Sequence, residues 1–272
     1  MTAPFPDGAT DTHIHVYDHR FPVAPTAVLR PPDASVADYR ELQAELGLSR
    51  AVVVQPSTYG FDNRCQLDAI AALGALSARG VMVVDSSTAP DELARLTTLG
   101  ARGARFHMIT GGAVPWSELA PTAASIAEHE WHVQLQLNGR ELAERLPELL
   151  ALPCPLVVDH IGRFMPPVDI DHPSWRALLT LVDAGRCWVK LSAPYESTTD
   201  GAPHYPTVSG LACALVARAP ERMLWASNWP HPGQAYRPDA AVLATLLDTW
   251  TEGDRDVQRQ ILVDNAAEVY GF

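Results

Sequence analysis

Two histidines separated by one residue, in the run Asp11-Thr12-His13-Ile14-His15-Val16, are the first feature of the chain that could do chemistry. In an extended strand the side chains at i and i+2 share a face, so His13 and His15 point together while Thr12, Ile14 and Val16 face the other way. Two imidazoles on one buried face are costly unless each has work to do. Together they offer paired donors to an oxygen or paired ligands to a metal ion. A second candidate is His160, which ends the apolar run Val157-Val158-Asp159 just before Gly162 releases the chain. A third is the segment Trp225-Ala226-Ser227-Asn228-Trp229-Pro230-His231-Pro232, in which Asn228 is the informative polar position and the tryptophans read as wall.

Short apolar runs, each followed by a turn and then a stretch with helical spacing, must position these groups. Strands are predicted at Thr12–Val16, Ala51–Gln55, Val81–Asp85, Ala104–Phe106, Val133–Leu137, Leu156–Asp159, Trp188–Leu191 and Met223–Ala226. Helices are predicted to start at Ser35 before Val36–Leu46, at Ser117 before Glu118–Glu130, and near Pro173 for Ser174–Ala184. Alternating strand and helix requires a parallel sheet covered by helices, and eight repeats favour a closed (β/α)8 barrel of the α/β class over an open sheet. No GxGxxG follows the first strand, which argues against a dinucleotide-binding fold. With no repeat, low-complexity tract or linker, one domain over residues 1–272 is expected, with the Pro-rich segment Phe21–Ser35 as a long first loop over one face. In such a barrel the functional groups belong at the C-terminal strand ends.

The 272 residues carry 20 Lys and Arg against 32 Asp and Glu, a formal net charge of −12. That balance excludes the basic footprint that nucleic acid or an anionic membrane surface would need. No apolar stretch approaches a membrane span, and Met1 to Asp11 lacks the pattern of a secretory leader, so a cytoplasmic protein is expected. Cys65, Cys154, Cys187 and Cys213 show no CxxC pairing and read as reduced thiols. Composition leaves the oligomeric state open.

Taken in order, His13-x-His15 on the first strand, Asp159-His160 on the sixth and Ser227-Asn228-Trp229-Pro230-His231 on the eighth resemble the amidohydrolase superfamily. The nearer resemblance is to its branch of 2-pyrone-4,6-dicarboxylate lactonases and sugar-lactone enzymes. It extends to Val54-Gln55-Pro56-Ser57-Thr58-Tyr59-Gly60 and Lys190-Leu191-Ser192-Ala193-Pro194-Tyr195 and spans nearly the whole chain. It implies a distorted barrel and a lactone substrate. Metal-using members complete the His pair with a carboxylated Lys on the fourth strand, His on the fifth and sixth and Asp on the eighth. Here Arg105, Gln136 and Asn228 stand in those segments. His13, His15 and His160 could make a three-His zinc site, but an added Arg and no offsetting carboxylate favour use of the histidines without a metal or other cofactor.

On that reading the three imidazoles polarise a lactone carbonyl and stabilise its oxyanion. Asn228 departs from the branch, whose Asp would take a proton from water. An amide orients a nucleophile but has no useful basicity, so His231 or Tyr195 would have to serve as base, or the reaction must demand less of one. Attack by a hydroxyl of the substrate itself is such a reaction. Arg105, Arg163 and Arg64 are candidate carboxylate anchors, and Ser57, Tyr59 and Tyr195 candidate donors. Glu196, if it faces the pocket, favours sugar hydroxyls over a second carboxylate. The expected activity is hydrolysis of a carboxylated lactone. The rivals are isomerisation of a sugar-acid lactone, as in galactarolactone isomerases, and a silent barrel that only binds sugar acids.

Overall fold

The computed structural model describes residues 5–198 and 200–272. Eight strands form one parallel sheet in chain order: β1 (Thr10–Ile14), β2 (Arg50–Val54), β3 (Ala78–Met82), β4 (Ala101–His107), β5 (His132–Gln136), β6 (Leu156–Val158), β7 (Cys187–Leu191) and β8 (Met223–Trp225). Between them run α1 (Val36–Leu46), α2 (Arg64–Leu73), α3 (Pro90–Thr98), α4 (Leu119–Ala127), α5 (Leu142–Leu150), α6 (Pro173–Asp183) and α7 (Pro206–Arg218), with α8 (Ala240–Trp250) after β8. This is the (β/α)8 barrel expected from the alternation of elements. Closure occurs beyond the end of β8. The His15 N–H donates to the Trp229 carbonyl at 2.9 Å, and the Asn228 N–H to that of His13 at 3.1 Å. Asp11 staples this seam, its carboxylate accepting from the Ser227 N–H at 2.9 Å and the Ser227 hydroxyl at 2.5 Å.

Local sequence explains the best-predicted elements. At α1, Ser35 Oγ accepts from the Asp38 N–H while the Asp38 carboxylate accepts from the Ser35 N–H, a reciprocal cap, and Gly47 ends the helix in the left-handed region at φ 76°. The prediction for α4 is corrected, because Trp116–Glu118 forms a 3-10 turn and the helix begins at Leu119.

Strands β1, β3 and β4 begin earlier than their apolar runs suggest. In β4, Gly103 reads as loop, yet a Cβ there would stand 2.6 Å from the His132 ring that fills the space. In β3, a Cβ at Gly80 would lie 2.3 Å from the Met82 side chain and 2.6 Å from that of Ile70. Small residues are strand residues here because their neighbours occupy the volume, which hydropathy does not register.

The segment Phe21–Ser35 does lie as a loop across the C-terminal face. It is pinned where the Ala24 N–H donates to the Thr58 carbonyl at 2.8 Å and Thr58 Oγ1 donates to the Leu29 carbonyl at 3.1 Å. All four cysteines are free. Among the described residues no helix is long and apolar enough to cross a membrane.

Candidate active site

A cavity of about 740 Å³ opens at the C-terminal strand ends. His15, Arg105, His107, Gln136, His160 and Asn228 form its deeper lining, and Val28 and Leu29 of the first loop stand at its mouth. The backbone is left-handed at His160 (φ 55°), Ile161 (φ 55°), Arg163 (φ 47°), Ala193 (φ 46°) and Asn228 (φ 60°), all just beyond β6, β7 and β8. Non-glycine residues in this region cost about 1–3 kcal/mol each and persist where the surroundings force them, commonly at functional sites.

At the floor of the cavity and beneath it lies a buried polar layer. His13 Nε2 and His15 Nε2 are 3.2 Å apart, and His15 Nδ1 is 2.8 Å from the Val54 carbonyl. That carbonyl can only accept, so His15 carries its proton on Nδ1. Burial, reinforced by Arg105, pushes the His15 pKa down to about 3, so the ring is neutral and its Nε2 is a bare acceptor. His13 must then donate from Nε2, leaving its Nδ1 to accept. Facing that atom are Lys190 Nζ and Gln134 Nε2, each at 3.4 Å.

Lys190 and Gln134 tie the rest of the layer together. Lys190 donates to Gln134 Oε1 and to the Thr12 carbonyl, both at 2.7 Å, while Gln134 Nε2 donates to Asp159 Oδ2 at 3.1 Å. Asp159 Oδ1 lies 3.3 Å from His13 Nδ1 and 3.6 Å from the ammonium that faces both. Burial lowers the Lys190 pKa to about 8, against the opposing pull of Asp159.

The expected convergence of three imidazoles is therefore present, with the His13 and His160 ring centroids 4.9 Å apart. Their division of labour differs from the expectation. His13 and His15 spend their facing nitrogens on each other, so they do not both donate to a substrate oxygen. His160, held at Nδ1 by Ser192 Oγ at 2.8 Å, keeps Nε2 available, and burial holds its pKa well below the usual histidine range.

The profile of the amidohydrolase family matches residues 10–272. The chain belongs to that family. This amidohydrolase is 35% identical over 277 residues to a D-galactarolactone isomerase of Agrobacterium fabrum, covering 99% of this chain and 94% of the relative. It is 34% identical to a 2-pyrone-4,6-dicarboxylate hydrolase of Comamonas testosteroni, over 97% and 90% of the two chains. An apo crystal structure of an Agrobacterium tumefaciens protein superposes with a TM-score of 0.92 at 34% identity, covering 99% of this chain and 97% of the other.

Of the residues picked out from the sequence of this amidohydrolase, His15, His160, Asn228, Arg105, Ser57 and Arg163 line the cavity, with His13 directly below. Arg64 does not reach it. It pairs with Asp62 at 2.6 Å and is mostly exposed, because its short sequence separation from that carboxylate makes the pairing local. Tyr59 is also turned away, its hydroxyl bridging the Asp18 backbone. Tyr195 and His231 stand behind Asn228. Asn228 Nδ2 donates to the Tyr195 hydroxyl at 3.0 Å, and that hydroxyl lies 2.8 Å from His231 Nδ1. Burial raises the Tyr195 pKa far above its ordinary value and lowers that of His231 to about 4. Asn228 Oδ1 is buried without a partner.

Sequence reasoning missed His107, Gln134, Lys190 and Asp159 as site groups. The first two sit at i+2 from Arg105 and at i−2 from Gln136, the same spacing that singled out the histidine pair.

A metal ion would have to use this donor set. His13, Asp159 and His160 present ligand atoms within 4.8 Å of one another, and Asp159 is the carboxylate that the sequence reading counted as absent. The ammonium of Lys190 already stands against both His13 Nδ1 and Asp159, and the buried guanidinium of Arg105 adds another positive charge. Two fixed cations against one carboxylate do not suit a dication, so the residues fit such an ion poorly.

Proposed function

We propose that this protein is an acyl-transfer enzyme that isomerises a carboxylated sugar-acid lactone without a metal, its ring opened by a hydroxyl of the same molecule. The observation that carries this reading is that an amide, Asn228, lines the cavity just beyond β8 while both substitute bases stand behind it. Activating water would need a basic group at that position. An intramolecular hydroxyl needs mainly orientation, since effective molarities of about 10⁵–10⁸ M replace part of what a base supplies.

In the proposed reaction, the Arg105 guanidinium, part of the cavity lining, anchors the carboxylate. His160 Nε2 donates to the lactone carbonyl, with Ser192 donating to Nδ1. Asn228 Oδ1 accepts the hydrogen bond of the attacking hydroxyl. That oxygen forms a bond to the carbonyl carbon, the bond to the ring oxygen breaks, and the hydroxyl proton ends on the departing oxygen. No water is consumed. The name of the Agrobacterium fabrum relative supports this reading.

Hydrolysis of a carboxylated lactone is the second reading, favoured by the open mouth of the cavity and by the hydrolase relative. Incubating an aldaric acid monolactone with the enzyme in ¹⁸O water separates the two. Isomerisation gives an unlabelled isomeric lactone as first product. Label entering a carboxylate at the rate of substrate loss would overturn it.

A further inference from the structure

Apart from its neutral histidines, the cavity is lined by four charged residues: Arg105, Arg163, Glu141 and Glu196. The two guanidiniums are not equivalent. Arg105 is 4% exposed and lines the cavity, and its two hydrogen bonds go to neutral acceptors, the Gln55 carbonyl at 2.6 Å and Gln136 Oε1 at 2.7 Å, which leave its charge unbalanced by a bonded carboxylate. Arg163 is already taken. Its Nε lies 3.1 Å from Glu196 Oε2, and the two side chains are only 14% and 16% exposed. One cation is therefore available to a substrate anion, and the other is neutralised inside the wall.

We infer that the Arg163–Glu196 ion pair makes the pocket selective for lactones with a single carboxylate. The inference rests on the reading of the cavity as a carboxylated-lactone site. A second carboxylate on the ligand would have to displace Glu196 from Arg163 in a partly desolvated wall, or lie against Glu196 or Glu141. Either arrangement is penalised by like charge or by the loss of a partner for a half-buried ion. Hydroxyls meet no such penalty. The Glu196 oxygens accept from them, and the Gln136 amide and Ser57 hydroxyl elsewhere on the lining are further polar groups that suit hydroxyls. The chemistry that fits is a polyhydroxylated ring with one carboxylate, as in the monolactone of a sugar diacid. A planar pyrone with two carboxylates does not fit.

The test is equilibrium binding by calorimetry with two unreactive probes, gluconate with one carboxylate and galactarate with two. The unmodified enzyme is expected to bind gluconate at least tenfold more tightly, a difference of about 1.4 kcal/mol. Glu196→Gln frees Arg163 and is expected to move the ratio at least tenfold toward galactarate. The double variant Arg163→Gln/Glu196→Gln returns it toward the unmodified value, which a general loosening of the wall would not do. A dicarboxylate preference in the unmodified enzyme, a smaller shift in Glu196→Gln, or a double variant that keeps the shifted ratio would each overturn the inference. Because binding needs no turnover, the two readings fail separately. Absence of lactone turnover with the ratio shift intact removes the catalytic proposal and leaves the selectivity, whereas turnover with a fixed ratio does the reverse.

Discussion

Along β7 the inward side chains run from Trp188 to Lys190, and Ser192 follows just beyond the strand. Along β6 Val157 gives way to Asp159, and along β5 His132 is followed by Gln134 and Gln136. The lower half of the barrel is apolar apart from His132, with Val52, Val81, Val157, Trp188 and Leu224 packed under Tyr270 of the last helix, Asn265–Tyr270. The upper half is polar and equally buried, its members satisfied largely by one another. The same strands thus supply two materials two residues apart. Below, positions are interchangeable provided volume is kept. Above, each group is held by the charge and hydrogen-bonding of its neighbours, so removing one leaves others unpaired.

The largest expected effect breaks this contrast at two register partners, Lys190 and Leu224. Lys190→Met leaves the Asp159 carboxylate buried without its cation and is expected to cost about 4 kcal/mol in urea unfolding. Lys190→Met/Asp159→Asn, which removes both charges, should recover most of that loss. Leu224→Ala leaves a cavity instead and should cost about 3 kcal/mol, with kcat/KM of the folded enzyme nearly unchanged. If the single Lys190 variant is no less stable than Leu224→Ala and the double variant recovers nothing, the upper layer behaves as ordinary packing and the distinction is lost.

The same contrast explains what the sequence shows. The lower layer is written in hydropathy, so all eight strands overlap their predicted apolar runs and the barrel follows from their number. The site was legible where a polar residue interrupts such a run conspicuously, as at His13, His15, His160 and Asn228. Lys190 and Gln134 lay inside strands, where a lone polar residue carries no information about its partners. Those partners come from β1 and β6, far away in sequence, and only closure of the barrel brings them within reach. Arg64 failed for the opposite reason, because its partner two residues away decided its position before the fold did.

A smaller effect is expected at the seam that closes the polar end. Burial raises the Asp11 pKa from 3.8 to about 6, partly offset by the hydrogen bonds from Ser227. A carboxyl whose folded-state pKa is raised contributes stability that is complete below about pH 4 and lost as the pH rises through about 6. Relative to Asp11→Asn, the native protein should therefore lose on the order of 2 kcal/mol between pH 4 and pH 7. Urea titrations of both proteins across that window measure the difference. A gap that stays constant with pH would show that the donors around Asp11, the Ser227 N–H and hydroxyl, the His13 N–H and the Tyr39 hydroxyl, offset its burial, and that the seam is ionised at every working pH.

The smallest expected effect concerns the cation in the upper layer, and it is a null result with consequences. If Lys190 and Arg105 supply the positive charge of this region, extensive dialysis against a strong chelator should leave kcat/KM within about twofold, and added zinc should not raise it. Zinc that entered the His13, Asp159 and His160 cluster would have to displace the ammonium that stands against both His13 Nδ1 and Asp159, so its binding should oppose that contact. Chelation that abolishes activity, followed by recovery on adding stoichiometric zinc, would mean that the polar layer is a ligand cage with Lys190 as its outer support. His13 and His160 would then coordinate an ion, and a Lewis acid would polarise the carbonyl in place of the His160 hydrogen bond.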